Sequence, residues 1–239
     1  MDLVTADQAW LLGLSLPAWT KLAAVVTGSL VGAEFAAKRG FDPVGVFGLA
    51  FAQGLGGLVL LELLLLNGTP LFLQDPKYLI GSALASVAGF FFAGLLSRSY
   101  PVLITLDAVS SGFLVCVGVE AALALQLPLI SAIFLGTLTA TGGLVLRDVM
   151  AGISPTLLRP GVLNGAVALL GAALFALLHE FTELPIGVEQ VAVVTFVFVL
   201  RMLAIWRGWK TRTTQDISDR FWGIWSRREE EEEEEVTRG

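Results

Sequence analysis

The chain has 239 residues, of which 55% are hydrophobic and only 15% charged, and its mean hydropathy is +0.78. That balance excludes an ordinary soluble domain, and long continuous apolar runs exclude a β-barrel, so the expected class is an all-α membrane protein with several spans. The net charge of −6 comes from the acidic run Glu229 to Glu235, while the single Cys116 and the absence of any Cys/His set at ligand spacing exclude a disulfide framework and a structural zinc site.

Residues 1–17 carry Asp2 and Asp7 but no lysine or arginine, so they lack the positive region of a signal peptide and are expected to be retained. The first span runs from Ala18 to about Ala37 and closes at Lys38-Arg39-Gly40, with Gly40 suited to a C-cap and Glu34 placed to pair with Lys38. Asp42 and Pro43 read as the N-cap and first residue of a second helix, which holds Gly54, Gly56 and Gly57 and ends near Asn67-Gly68-Thr69-Pro70. A third span follows Lys77 and Tyr78 to about Leu96. A fourth runs from Leu103 to Leu125 with Asp107 near its start. After Gln126-Leu127-Pro128 comes a fifth, then a sixth from Arg159-Pro160-Gly161 to His179-Glu180, and a seventh from Ile186 to Trp206. The segment Ile217 to Arg228, with Phe221, Trp222 and Trp225 among charges, reads as a short amphipathic surface helix or a tail with interfacial aromatics. The acidic run reads as solvated.

The fifth span contains Thr139-Ala140-Thr141-Gly142-Gly143-Leu144-Val145-Leu146-Arg147-Asp148. In lipid a glycine pair reads either as a broken helix lining a polar cavity or as a small-residue surface for close helix packing. An offset of 86 residues carries Gly56-Gly57-Leu58-Val59-Leu60 onto Gly142-Gly143-Leu144-Val145-Leu146 letter for letter. The same offset relates Val31-Gly32-Ala33-Glu34 to Val117-Gly118-Val119-Glu120, Lys21 to Asp107, and Glu62 to Asp148. The chain therefore divides into an N-terminal segment 1–17, repeat one over 18–97, repeat two over 98–180, a seventh helix over 186–207 and a tail over 208–239. Because each repeat has three helices, the second inserts upside down, and interrupted helices in inverted repeats point to a transport site between them.

Lys38, Arg39, Arg98, Arg159, Arg207, Lys210 and Arg212 fall on one side and Lys77 on the other, which by the positive-inside rule puts the C-terminus in the cytoplasm and the N-terminus outside. The Asn67-Gly68-Thr69 sequon then lies outside, but such matches are common by chance. Enzyme readings find no support. Val109-Ser110-Ser111-Gly112 lacks the glycine two residues before serine of a rhomboid-type protease, there is no phosphate loop, and His179 stands at a helix end.

The intramembrane charges Lys21, Glu62, Asp107, Arg147 and Asp148 read as two clusters at the mouths of one permeation path, or as ion pairs holding helices together. Glu34 and Glu120 read as helix-end residues. Leu106-Asp107-Ala108, Gly118, Thr139-Ala140, Gly142-Gly143, Arg147-Asp148, Gly152 and Pro155 together resemble the prokaryotic trimeric intracellular cation channel family, small bacterial membrane proteins of the glycine-transporter-domain type. The resemblance covers Lys21 to Leu178. It implies a homotrimer in the inner membrane, in contact with lipid and not with nucleic acid, and a potassium-permeable pore in each subunit lined by the glycine-kinked second and fifth helices. It implies no cofactor, only permeant potassium or sodium ions. Two departures stand out. Leu58 and Leu144 replace the third glycine of each run, and the Arg-Asp pair is Leu61-Glu62 in repeat one. A secondary transporter of a small zwitterion such as glycine fits the same inverted repeats.

Overall fold

The computed structural model describes residues 18–66, 69–98, 100–159 and 163–209. The N-terminal segment, Asn67-Gly68 of the sequon, Pro160-Gly161, and the tail from Lys210 with its amphipathic and acidic stretches lie outside the described residues. Within them, seven helices are long and apolar enough to cross a membrane. They are α1 (Ala18–Lys38), α2 (Pro43–Leu65), α3 (Pro76–Arg98), α4 (Tyr100–Ala124), α5 (Leu129–Met150), α6 (Asn164–Phe181) and α7 (Ile186–Trp206). A four-residue helix, Leu71–Gln74, precedes α3, and a 3-10 turn, Thr156–Leu158, lies between α5 and α6. At 1.5 Å per residue such helices match a hydrocarbon core about 30 Å thick.

The helix starts follow from the sequence. Asp42 caps α2 by accepting a hydrogen bond from the Gly45 N–H at 2.7 Å, with Pro43 in the first turn where its missing N–H costs nothing. Tyr100 and Pro101 open α4, again with proline in the first turn, directly after α3 ends at Arg98. At the other ends, Gly40 (φ 74) and Gln126 (φ 54) are equivalent under the offset, as are Leu66 (φ 50) and Gly152 (φ 70). The closures match too: Phe41 N–H reaches Ala36 O at 3.2 Å, and Leu127 N–H reaches Ala122 O at 3.0 Å. One left-handed cap design thus serves both repeats, once with glycine and once without in each pair.

The helices assemble about a pseudo-two-fold axis. A Cβ on Gly57 would fall on the Thr139 carbonyl, and a Cβ on Gly143 on the Gln53 carbonyl. Gly56 faces Leu146 as Gly142 faces Leu60. Each contact maps onto its partner under the 86-residue offset, the reciprocity a two-fold requires. Ser110 and Ala24, equivalent positions, touch directly, with Ser110 Oγ donating to Ala24 O at 2.9 Å. Only positions on the axis can meet their own counterparts, so the axis runs between α1 and α4 as well as between α2 and α5.

Neither glycine pair interrupts the helix that contains it. Both α2 and α5 continue as helix through Gly54, Gly56, Gly57, Gly142 and Gly143. The glycines are there because α2 and α5 approach backbone to backbone, which any side chain would prevent. Gly54 does the same against α1, where a Cβ would collide with Ser29 and the Val25 carbonyl. α7, outside the repeats, packs on α4 and α6. It closes a core in which Val115, Val119, Phe175, Val193 and Val197 are fully buried.

Candidate functional site

At the end of the bundle carrying Lys38 and Arg39, the Arg147-Asp148 pair is bound up in structure. Asp148 Oδ1 accepts from Arg147 Nε at 2.9 Å and Nη2 at 2.5 Å. Its Oδ2 accepts from the Thr156 N–H at 2.7 Å and hydroxyl at 2.8 Å. Asp148 therefore pins the connection after α5 to the helix end, and it is fully buried. Arg147 Nη1 donates to Gln53 Oε1 on α2 at 2.7 Å. Its guanidinium lies 3.7 Å from the centre of the Phe35 ring, with Arg39 at 3.6 Å. Two guanidiniums cannot share one face at those distances, so Phe35 is sandwiched between them.

Deeper in the bundle is a polar cavity of about 30 Å³, bordered by every long helix except α3. Its polar lining comes from Gln53 of α2, Asp107, Ser110 and Ser111 of α4, Thr141 of α5, Asn164 of α6 and Arg201 of α7. One water needs about 10–15 Å³ by this measure, so the space suits two water-sized species. Arg201 Nη2 donates to Asp107 Oδ2 and forms an ion pair with it. Two buried atoms beside it, Arg201 Nε and Asn164 Oδ1, have no hydrogen-bond partner among the described residues. Groups of that kind are costly in a dry interior and mark a place for water or an ion.

The opposite end holds a second charged cluster. Lys21 of α1 is buried and sits in the fields of Glu120 and Glu62. Glu120 accepts a hydrogen bond from Gln190 Nε2. The buried Glu189 meets His179 Nδ1 at 3.2 Å, tying α7 to the end of α6. Glu120 lies in the last turns of α4, near the helix end read from sequence, and is buried inside the cluster with Lys21. Back at the basic end, Glu34 pairs with Lys38 one turn on, as their spacing predicts.

The glycine transporter family model matches residues 18–94 and 104–180, two segments related by the same 86-residue offset. The chain belongs to this family, that of the prokaryotic trimeric intracellular cation channels. The trimeric intracellular cation channel orthologue from Rhodobacter sphaeroides is 30% identical with a TM-score of 0.73, over 80% of this chain and 97% of that one. A solved structure of a TRIC cation channel studied for its conductance is 26% identical with a TM-score of 0.77, over 83% and 97%. Among curated relatives, the UPF0126 inner membrane protein YadS of Escherichia coli K12 is 25% identical over 189 residues, 78% of this chain and 90% of YadS.

Within this family fold, Asp107 is the sequence-derived candidate that borders the cavity. Gly54, Gly56, Gly57, Gly142 and Gly143 lie in the helix crossings and not in its lining, and Lys21 and Glu62 lie at one end of the bundle, Arg147 and Asp148 at the other. Sequence reading did not single out Gln53, Asn164, Glu189, Gln190 or Arg201. Two of these carried a usable signal. Arg201 is an arginine inside an apolar span, which calls for a partner, and Gln53 is the equivalent of Thr139 at the head of the glycine motif.

Proposed function

We propose that this protein is a monovalent-cation channel, preferring potassium, with one path in each subunit of a homotrimer embedded in inner-membrane lipid. The observation that carries this reading is the polar cavity inside the bundle, bordered by Gln53, Asp107, Ser110, Ser111, Thr141 and Asn164. Hydroxyl, amide and carboxylate oxygens can replace part of the hydration shell of an alkali cation, and the Asp107 charge draws cations toward them. The relatives described as trimeric cation channels support the same conclusion. The lining residues of α2 and α5 form the middle of the path, with the glycine crossing fixing their separation. The charges of Lys21 with Glu62, and of Asp107 with Arg147 and Asp148, set the field at its two ends. The permeant ion is the only small partner required, and no catalytic step is involved. Lysine and arginine placement favours an outside N-terminus and a cytoplasmic tail.

Single-channel recording of purified protein in a planar bilayer under a potassium gradient tests this directly. Discrete unit steps reversing near the potassium potential are expected. Current without unit steps that saturates with added solute would replace the reading. The adjacent acid and base, Asp107 and Arg201, favour a second reading, since they match the ammonium and carboxylate of a zwitterion such as glycine. Saturable uptake of labelled glycine into liposomes, without potassium steps, would establish that transporter instead.

A further inference from the structure

The two arginine–aspartate pairs near the basic end are built differently. In Arg147–Asp148 every nitrogen of the guanidinium is engaged: Nε and Nη2 on Asp148, Nη1 on Gln53. The carboxylate spends both oxygens on Arg147 and Thr156 and has no exposed surface. That is a strut, filled on both sides. In Arg201–Asp107 the guanidinium has one bond to the carboxylate, through Nη2, while its Nε is buried without an acceptor among the described residues. The Asp107 side chain is 28% exposed and Arg201 only 8%. The carboxylate is thus the open side of the pair, and it borders the cavity. A buried ion pair repays desolvation only when its remaining donors and acceptors are satisfied, and this one leaves a donor empty.

The surroundings of Asp107 suit a different cation. Ser110, Ser111, Thr141 and Asn164 border the cavity with it. The Ser110 and Thr141 hydroxyls donate their hydrogens to the Ala24 and Thr137 carbonyls, which leaves their oxygens as acceptors, and Asn164 Oδ1 is buried without a partner among the described residues. This is a set of hard oxygens, the donors alkali cations prefer, whereas a guanidinium would need acceptors fanned around its plane. Arg201 also comes from α7, the helix outside both repeats, so nothing in the repeat symmetry requires a cation here. Under the offset the counterpart of Asp107 is Lys21, which comes from its own repeat. The field of Arg147 also reaches Asp107, but Asp148 and Gln53 hold that arginine in place.

We propose that Arg201 is a tethered competitor of the permeant cation, a guanidinium delivered by α7 that occupies the Asp107 oxygen site and keeps the path shut until the pair separates. This rests on the channel reading above and assigns its gate to α7, not to the glycine-bearing α2 and α5. With Arg201 withdrawn, the site is a carboxylate among hydroxyl and amide oxygens with room for a water-sized cation. With Arg201 in place, its charge cancels the attraction and its bulk fills the entry.

Two readouts on the full-length protein test this. The first is potassium current in planar bilayers, where Arg201→Gln raises open probability about tenfold, a modest bias on a two-state equilibrium, and Arg201→Lys stays near wild type. The second needs no conduction: thermal unfolding in detergent, in potassium chloride against N-methylglucamine chloride. Wild type melts alike in both, R201Q gains stability from potassium, and the double variant D107N/R201Q loses that gain. Because R201Q leaves a carboxylate unpaired, Arg201→Ala with millimolar guanidinium chloride is a second route, and free guanidinium should block R201A while leaving wild type unaffected. Wild-type current unchanged in R201Q and R201A, with potassium-insensitive melting, would make the pair a strut and overturn the gate while leaving the channel standing. No current from any form, but potassium-dependent melting of R201Q, would keep the competition at Asp107 and overturn the channel reading.

Discussion

The glycine crossing and the charged ends of the bundle obey the 86-residue offset to different degrees. At the crossing, Gly57 on Thr139 is answered by Gly143 on Gln53, and Gly56 on Leu146 by Gly142 on Leu60. At the ends, Asp107 is answered by Lys21 and Asp148 by Glu62, so in the first pair the sign of the charge is inverted. Two backbones in contact leave one solution, a residue without a side chain, and both copies keep it. A charge is constrained only by its partners, and these differ: Arg201 and Thr156 stand at one end and Glu120 at the other. Symmetry here marks packing, and its loss marks the places where the two ends of the bundle are built differently.

The largest effect should come from breaking the buried Arg147–Asp148 pair. Asp148→Ala leaves Arg147 buried without its carboxylate and unpins Thr156, and should cost about 3–5 kcal/mol. Its counterpart Glu62→Ala should cost less than half of that, measured for both by reversible unfolding in mixed detergent. Equal costs would mean that the two ends are equivalent after all.

The symmetric crossing should respond symmetrically. Gly57→Ala and Gly143→Ala each place a Cβ on a carbonyl of the facing helix and should each cost about 2–3 kcal/mol, within about 0.5 kcal/mol of one another. Gly48→Ala on the same α2, with open space around it among the described residues, should instead gain up to about 1 kcal/mol of helix stability. A large gap between the two crossing variants would show that the axis does not pass between α2 and α5.

The caps give the smallest shift. Gln126→Gly and Leu66→Gly relieve a left-handed residue that its equivalent already fills with glycine, and each should raise stability by about 1 kcal/mol. Thermal melting of the two single variants and the double checks both the sign and the additivity expected of distant sites.

Much of this was legible in the sequence. Seven apolar runs set the seven spans, Asp42-Pro43 set the start of α2, and the letter-for-letter glycine runs disclosed the repeat. The role of those glycines was not legible, because a glycine pair in an apolar run signals a break and a close approach equally. Only the facing helix, with Thr139 or Gln53 against it, separates the two. The cavity was hidden for a related reason. Arg201 meets Asp107 across 94 residues of sequence, as Arg147 meets Gln53, and no local pattern records either meeting. A single arginine is also diluted in a hydropathy window that otherwise reads as lipid-facing helix, though its cost in hydrocarbon was reason to ask for its partner.

The most direct test of the cavity as the ion path is cysteine accessibility at Ser111. The conservative Ser111→Cys change is made in a Cys116→Ser chain, which removes the one native thiol. Reconstituted protein is exposed to a small cationic methanethiosulfonate reagent while unit potassium currents are recorded, and labelling is confirmed by mass. The account predicts irreversible, stepwise loss of current in the Ser111→Cys protein and none in its parent. Full labelling of that cysteine with unit current unchanged would place the ion path elsewhere.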